Sequence, residues 1–71
     1  MEKKEFKISL AAARVNAGLT QDEVAKRMHV SKTTILNWEK GRNNPPFASL
    51  QCLATLYEMP IDYIFLSKQS T

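Results

Sequence analysis

The sequence predicts a small all-α domain built from five helices. Apolar residues recur at helical spacing along the 71 residues, and no alternating strand pattern of useful length is present. A complete helix start stands at "LTQDEV" (residues 19–24), and "GRNNPP" (residues 41–46) marks a clear break between helices. A chain of this length makes one domain, 1–71, and we expect its termini to be frayed.

The first two helices are predicted from a glycine stop and a capping box. The first helix covers about residues 6–17, and Gly18 follows it where a left-handed residue is favoured. Thr20 is the predicted N-cap of the second helix, Glu23 closes the capping box, and the helix runs to about Met28. The inward residues expected from the helical spacing are Leu10, Ala13, Arg14, Ala17, Val24, Ala25 and Met28.

A tight turn separates the second helix from a third helix that begins at Ser31. Such a turn favours a left-handed residue, so we interpret His29 as a turn residue rather than a catalytic residue or a ligand. A fourth helix is expected at about residues 46–57, started by proline, and "EMPIDYIFL" (residues 58–66) is expected to form a short fifth helix. The apolar residues expected to pack from these two helices are Phe47, Leu50, Leu53, Ala54, Tyr57, Ile61, Ile64 and Phe65.

Composition argues against several classes of protein. One cysteine, Cys52, cannot form an internal disulfide, and one histidine argues against a zinc cluster. No apolar run approaches the ~18 residues of a membrane span, and no signal core begins the chain, so we expect a cytoplasmic protein. An enzyme is not expected, because a chain this short encloses little of the cavity that catalysis requires. Cys52 is interpreted as a small core or boundary residue.

The net charge of +3 is concentrated in the middle of the chain. Residues 1–25 sum to zero, residues 26–42 carry +4, and residues 43–71 carry −1. Glu39 is the one acidic residue of the middle segment. Such asymmetry indicates a polyanionic partner, although a solvated charged face is the usual alternative.

The third helix divides into two faces on a helical wheel. One face is formed by Ser31, Thr34, Ile35 and Trp38, of which Ile35 and Trp38 are expected in the core. The other face is formed by Thr33, Leu36, Asn37 and Lys40. Its short polar side chains suit close approach to a partner, and asparagine can pair bidentately with an adenine edge. Leu36 is either a singly exposed leucine or a contact for thymine methyls or a protein partner.

The surroundings of the polar face suit phosphate. Lys32, Lys40 and Arg42 border it, and phosphate contacts supply most of the affinity in complexes with DNA. Gln21 projects near the N-terminus of the second helix, where backbone N–H groups and the helix dipole favour anions. The polar side of the third helix is therefore predicted to face nucleic acid.

Three segments in this order resemble the helix-turn-helix domain of the bacteriophage repressor and Cro (Xre-like) regulators. They are "AGLTQDEVAKRM", "VSKTTILNWEKG" and "LQCLATLYEMPIDYIF", and with "ARVNAGLT" the resemblance covers about residues 8–66. It implies a five-helix, lambda-repressor-like DNA-binding domain with a helix-turn-helix at about residues 20–40. In such domains the third helix lies in the major groove of double-stranded DNA and the second crosses the backbone.

The resemblance also implies roles for individual residues. Positions that read base edges are occupied by Lys32, Thr33 and Asn37. Positions that contact phosphate, or an outer base from the second helix, are occupied by Gln21, Arg42 and Asn43. The complete DNA-binding set that we expect is Gln21, Ser31, Lys32, Thr33, Asn37, Lys40, Arg42 and Asn43. Arg14 and Glu39 match a partly buried ion pair that ties the first helix to the third. His29 replaces the common turn glycine, at a small cost in stability.

The leading hypothesis is therefore a sequence-specific transcription regulator, a repressor of phage or mobile-element type by analogy with the family. The alternative is a protein-binding module, such as an antitoxin-like partner that reuses the fold. Specific regulation suggests a homodimer on a pseudo-palindromic operator, with half-sites about 34 Å apart or a multiple of that. We expect the dimer surface at Tyr63, Phe65 and Leu66. No cofactor, metal or small-molecule effector is expected.

Overall fold

The computed structural model of the protein describes residues 7–65. Its elements in chain order are β1 (Ile8–Ser9), α1 (Leu10–Asn16), α2 (Gln21–Met28), α3 (Lys32–Lys40), α4 (Phe47–Leu56), a 3-10 helix (Ile61–Tyr63) and β2 (Ile64–Phe65). The described residues are mainly helical, as predicted, but they form four α-helices rather than five. The chain ends that we expected to be frayed lie outside the described residues.

Hydroxyl side chains begin α2 and α3 where the sequence predicts. Thr20 Oγ1 accepts a hydrogen bond from the Glu23 N–H at 3.1 Å, and the Glu23 carboxylate accepts from the Thr20 N–H at 2.8 Å. The hydrogen bond from the Thr20 backbone, followed by that from its side chain, lowers the pKa of Glu23. Ser31 Oγ accepts from the Thr34 N–H at 3.1 Å and caps α3. The predicted capping box and both helix starts are confirmed.

Each α-helix is followed by a residue in the left-handed conformation. These residues are Gly18 (φ 75°), His29 (φ 59°), Gly41 (φ 77°) and Glu58 (φ 56°). The N–H of the next residue then bonds to a carbonyl five residues earlier, which gives Leu19–Arg14, Val30–Ala25, Arg42–Asn37 and Met59–Ala54 at 2.9–3.2 Å. This Schellman motif satisfies carbonyls that a helix end leaves free. The turn role predicted for His29 is confirmed.

The first helix begins later than the sequence predicts. Ser9 is extended (φ −71°, ψ 161°), and its hydroxyl caps α1 by accepting from the Ala12 N–H at 3.1 Å. Just before it, β1 pairs in parallel with β2, so that Ile8 lies opposite Ile64. The predicted start near residue 6 is wrong for residues 7–9, because pairing with a distant strand keeps this backbone extended. Ala17, expected to point inward, is exposed.

The predicted fifth helix is not confirmed. Glu58 ends α4 in the left-handed region, and after Pro60 a single 3-10 turn leads into extended backbone at Ile64 (φ −87°, ψ 125°). Strand pairing with β1 takes the hydrogen-bonding groups that a helix would use, so the segment becomes a turn and a strand. Ile64 is buried, as expected. Leu66 and the side chain of Phe65 lie outside the described residues.

The core takes one face from each helix and includes β2. Its buried apolar residues are Leu10, Ala13, Val24, Ala25, Ile35, Trp38, Leu53, Ala54, Tyr57 and Ile64. Ile35 and Trp38 are 1% and 8% exposed, which confirms the predicted inward face of the third helix. Phe47, expected to pack inward, is 65% exposed instead. It is the first residue of α4, whose fully buried residues begin only at Leu53.

Candidate nucleic-acid interface

The third helix presents a polar face to solvent while its other face is anchored in the core. The exposed residues at its start and on this face are Ser31, Lys32, Thr33 and Lys40. Asn37 and Leu36 are half-buried, so Leu36 is partly covered rather than fully exposed. Because Ile35 and Trp38 fix the buried side, the polar side chains stand on a rigid support.

Exposed cations border this face. They are Lys32, Lys40 and Arg42, and two further exposed cations, Lys26 and Arg27, lie in the last turn of α2. Glu39, the one acidic residue among residues 26–42, has a side chain only 7% exposed and paired with Arg14. The Glu39 carboxylate, which lowers the formal charge of residues 26–42, is thus paired with Arg14, a cation that lies outside this segment. The exposed charges contributed by residues 26–42 are therefore all positive.

Arg14 and Glu39 lie together between α1 and α3. Arg14 Nε is 2.7 Å from Glu39 Oε2, and Arg14 Nη2 donates to Oε1 at 3.3 Å. The third arm of the guanidinium, Nη1, donates to the Leu19 carbonyl at 2.9 Å. The hydrogen bond with Glu39 raises the pKa of Arg14, while burial acts in the opposite direction. This cation therefore connects α1, the turn before α2, and α3.

The side-chain amide of Gln21 also binds the Glu39 carboxylate. Its Nε2 donates to Glu39 Oε1 at 2.9 Å, and the side chain is half-buried. One N–H of the amide is therefore used inside the fold. Sequence reasoning missed this hydrogen bond, because it depends on how α2 packs against α3. The DNA contact expected of Gln21 stays a prediction.

Asn37 and Arg42, both expected to contact DNA, contact each other. Arg42 Nη1 donates to Asn37 Oδ1 at 3.1 Å, and the Arg42 backbone N–H donates to the Asn37 carbonyl at 3.0 Å. Asn43, the next residue, is exposed. The left-handed Gly41 turns the chain back over the end of α3 and brings the two side chains together. The sequence signal for this contact was the glycine four residues after Asn37.

An exposed carboxylate lies next to the cations at the start of α3. Asp22 Oδ2 is 3.9 Å from Lys32 Nζ, and the two side chains are 70% and 58% exposed. A pair at this distance and exposure contributes little to stability. Its consequence is local: Asp22 offsets part of the positive charge at Lys32, which the sequence reasoning did not consider.

The remaining candidate residues lie away from this face. Cys52 is exposed and lines a groove of about 710 Å³ between the end of α2 and α4, so its expected core or boundary position is wrong. The next two residues of α4, Leu53 and Ala54, are buried instead. Within residues 7–65, no group of three or more His, Cys, Asp and Glu side chains is placed to hold a metal. No helix in that range is long and apolar enough to cross a membrane.

Two helices joined by a tight left-handed turn, with the second helix exposing a polar face, define a helix-turn-helix domain. The comparison with known proteins agrees with this geometry. The chain belongs to the helix-turn-helix family of the phage-repressor (Xre-like) type, whose pattern matches residues 10–64.

Curated relatives match most of this chain. The HTH-type transcriptional activator BcrR of Enterococcus faecalis is 32% identical over 65 residues, which are 92% of this chain and 32% of BcrR. The cryptic phage CTXphi transcriptional repressor RstR of Vibrio cholerae is 38% identical over 56 residues, covering 79% and 50% of the two chains. The HTH-type transcriptional regulator ImmR of Bacillus subtilis is 33% identical over 55 residues, covering 78% and 43%. The chain thus spans between about a third and a half of the length of these relatives.

Proposed function

We propose that this domain binds double-stranded DNA sequence-specifically and regulates transcription. The observation that carries the proposal is the polar face of α3, exposed on a rigid support and bordered by the exposed cations Lys32, Lys40 and Arg42. Side chains that donate hydrogen bonds, flanked by Lys and Arg, are the groups that contact base edges and phosphates. Membership of the helix-turn-helix family and the transcriptional regulators among its relatives support the same function.

The proposed complex has α3 in the major groove and α2 across the backbone. Base edges are read by Lys32 and Thr33, at the start of α3, and by Asn37, about one turn further on. Contacts to phosphate come from residues at the ends of α2 and α3 or just outside them, which are Gln21, Ser31, Lys40, Arg42 and Asn43. These contacts set the register on the duplex, while the base contacts give specificity.

We further propose that two copies of the domain form a homodimer, which represses transcription from a pseudo-palindromic operator. One copy of α3 covers only a few base pairs, and two copies related by a two-fold axis double the sequence that is read. Repression follows from binding alone, since a bound dimer excludes other proteins from the same DNA. Among the relatives, RstR is named as a phage repressor and BcrR as an activator. Of the three residues expected at the dimer surface, Tyr63 is the one whose side chain the structure describes, and it is 44% exposed.

Selection from a random duplex library at about 0.15 M salt tests this function, followed by titration of the selected duplex at several salt concentrations. We expect enrichment of a short inverted repeat. The Lys32→Met variant should bind it more weakly, with a shallower salt dependence, and should fold normally by circular dichroism. Lys7→Met is the matched control, because Lys7 donates to the Asp62 carbonyl near β2 rather than bordering α3.

Three results would count against the proposal. Steep salt dependence without a preferred sequence would limit the activity to phosphate binding. Equal losses of DNA affinity in Lys32→Met and Lys7→Met would mean that α3 is not part of the DNA interface. A folded protein that binds no duplex would favour the alternative of a protein-binding module.

A further inference from the structure

The amide of Asn37 is held by a residue whose own position is fixed. Arg42 is tied to Asn37 through the backbone, by the 3.0 Å hydrogen bond that closes α3, and through the side chains, by the 3.1 Å hydrogen bond from Nη1 to Oδ1. The left-handed Gly41 (φ 77°) between them sets this geometry. The guanidinium therefore reaches the Asn37 oxygen from a backbone position that α3 itself determines.

This contact decides which groups Asn37 offers to a partner. An asparagine side chain has one carbonyl oxygen and two N–H donors. Because Oδ1 accepts from Arg42, one of its two lone pairs is taken, and the two N–H donors of Nδ2 are the larger part of what the amide can offer to a partner. The positive charge of Arg42 next to the amide also favours an electron-rich, hydrogen-bond-accepting partner.

The bases differ in the groups that they present to such a double donor. Guanine presents two acceptors in the major groove, N7 and O6, whereas adenine presents one acceptor, N7, and one donor, N6–H₂. The bidentate pairing of asparagine with adenine needs the amide oxygen to accept from N6–H₂. In this protein Arg42 occupies one of the two lone pairs of that oxygen, so adenine N6–H₂ would have to approach beside a guanidinium that is itself a donor and a cation.

We infer that Arg42 is a specificity-determining residue, which positions the Asn37 amide as a double donor and so selects guanine over adenine at the base that Asn37 reads. The inference rests on the proposed function and goes beyond it, because it assigns a base preference and a cause for it. Arg42 acts here through Asn37, and its remaining N–H groups stay available for phosphate.

The test compares base preferences rather than affinities, because removing an arginine weakens DNA binding in any case. Library selection with the full chain and with Asn37→Ala identifies the base pair at which the variant loses its preference. At that pair the parent protein should bind guanine about tenfold more tightly than adenine. Arg42→Met should reduce this ratio to about twofold or invert it, because the released oxygen accepts from adenine N6.

Lys40→Met is the matched control, since it removes one cation from the last turn of α3, whereas the hydrogen bond to the Asn37 side chain comes from Arg42. It should lower affinity for all duplexes while leaving the guanine-to-adenine ratio unchanged. In the Asn37→Ala background, Arg42→Met should no longer change the preference at that pair.

The inference fails if Arg42→Met leaves the ratio at the parent value, if Lys40→Met changes it equally, or if Asn37→Ala loses preference at no base pair. In each of these cases the parent still selects a sequence, so sequence-specific DNA binding stands, although the last case would remove the base-reading role proposed for Asn37. Absence of any preferred duplex for the parent protein would instead overturn the proposed function and the inference with it.

Discussion

Gln21 Nε2 donates a 2.9 Å hydrogen bond to Glu39 Oε1, on the same carboxylate that receives Arg14 Nε at 2.7 Å. One side chain of α3 thus binds α1 through Arg14 and the first residue of α2 through Gln21. The carboxylate is almost fully covered, with 7% of the Glu39 side chain exposed. The Glu39 carboxylate therefore adds a polar link among α1, α2 and α3 to the packing of Ile35 and Trp38 in the core.

Replacing Glu39 by alanine should destabilise the domain by about 3 kcal/mol, because it leaves the guanidinium of Arg14 covered and without its carboxylate. Urea denaturation followed by circular dichroism measures this loss. The Arg14→Met/Glu39→Met double variant is the control: it removes both charges while keeping side-chain volume, and should cost less than Glu39→Ala alone. A loss below about 1 kcal/mol for Glu39→Ala would place the pair among ordinary surface ion pairs.

Much of the fold could be predicted from the sequence because local interactions determine it. The capping box of Thr20 and Glu23 and the glycine after α3 act within a few residues, so the boundaries of α2 and α3 agree with the structure. The strand pair could not be predicted. Each strand is two residues long, too short for a periodic pattern, and Ile8 meets Ile64 across nearly the whole chain. This distant pairing shortened α1 and replaced the fifth helix.

The candidate site divides in the same way between local and tertiary causes. Which residues of α3 face outward follows from helical geometry around Ile35 and Trp38, and the wheel placed these two correctly in the core. The partners of the polar side chains follow from packing between helices. Neither the hydrogen bond from Gln21 to Glu39 nor the proximity of Asp22 to Lys32 leaves a signal in the sequence.

The left-handed residue between α2 and α3 offers a direct test of backbone strain. His29 has φ 59°, and glycine adopts this conformation without the steric cost of a Cβ. We expect His29→Gly to raise the free energy of unfolding by about 0.5–1 kcal/mol, after the larger entropy of glycine in the unfolded chain is included. Thermal and urea denaturation measure the change, and DNA binding should be retained.

His29→Ala is the control, because it removes the imidazole as His29→Gly does but keeps the Cβ. At Gly18 (φ 75°) the opposite substitution, from glycine to alanine, tests the same backbone cost, because a Cβ there would meet nothing within 4 Å. Gly18→Ala should still destabilise the domain by about 1 kcal/mol, since the cost lies in the backbone and not in a collision. Equal stabilities of the glycine and alanine variants at position 29 would contradict this account.

Tyr57 should make the domain sensitive to alkaline pH. Burial, followed by the negative charge of Glu39, raises the pKa of Tyr57 from 10.0 to about 12. The unfolded tyrosine therefore loses its proton first, so this contribution to stability is complete below pH 10 and falls as pH rises toward 12. We expect a loss of about 2 kcal/mol over this range, measured by urea denaturation. Tyr57→Phe should flatten the dependence, whereas the same fall in Tyr57→Phe and the parent would show another group to be responsible.

Asp22 should weaken DNA binding while it supports the fold, so its removal should move the two properties in opposite directions. Its carboxylate lies 3.9 Å from Lys32 Nζ and in the first turn of α2, where it interacts favourably with the helix dipole. Asp22→Asn should lower stability by about 0.5 kcal/mol and raise affinity for DNA roughly two- to fivefold at low salt, with a smaller gain at high salt. Asp62→Asn, on the 3-10 helix, makes the same change in net charge and should raise affinity less. Urea denaturation measures the change in stability, and duplex titration at two salt concentrations measures the change in affinity. Equal gains in affinity from Asp22→Asn and Asp62→Asn would mean that total charge, rather than the charge beside Lys32, controls binding.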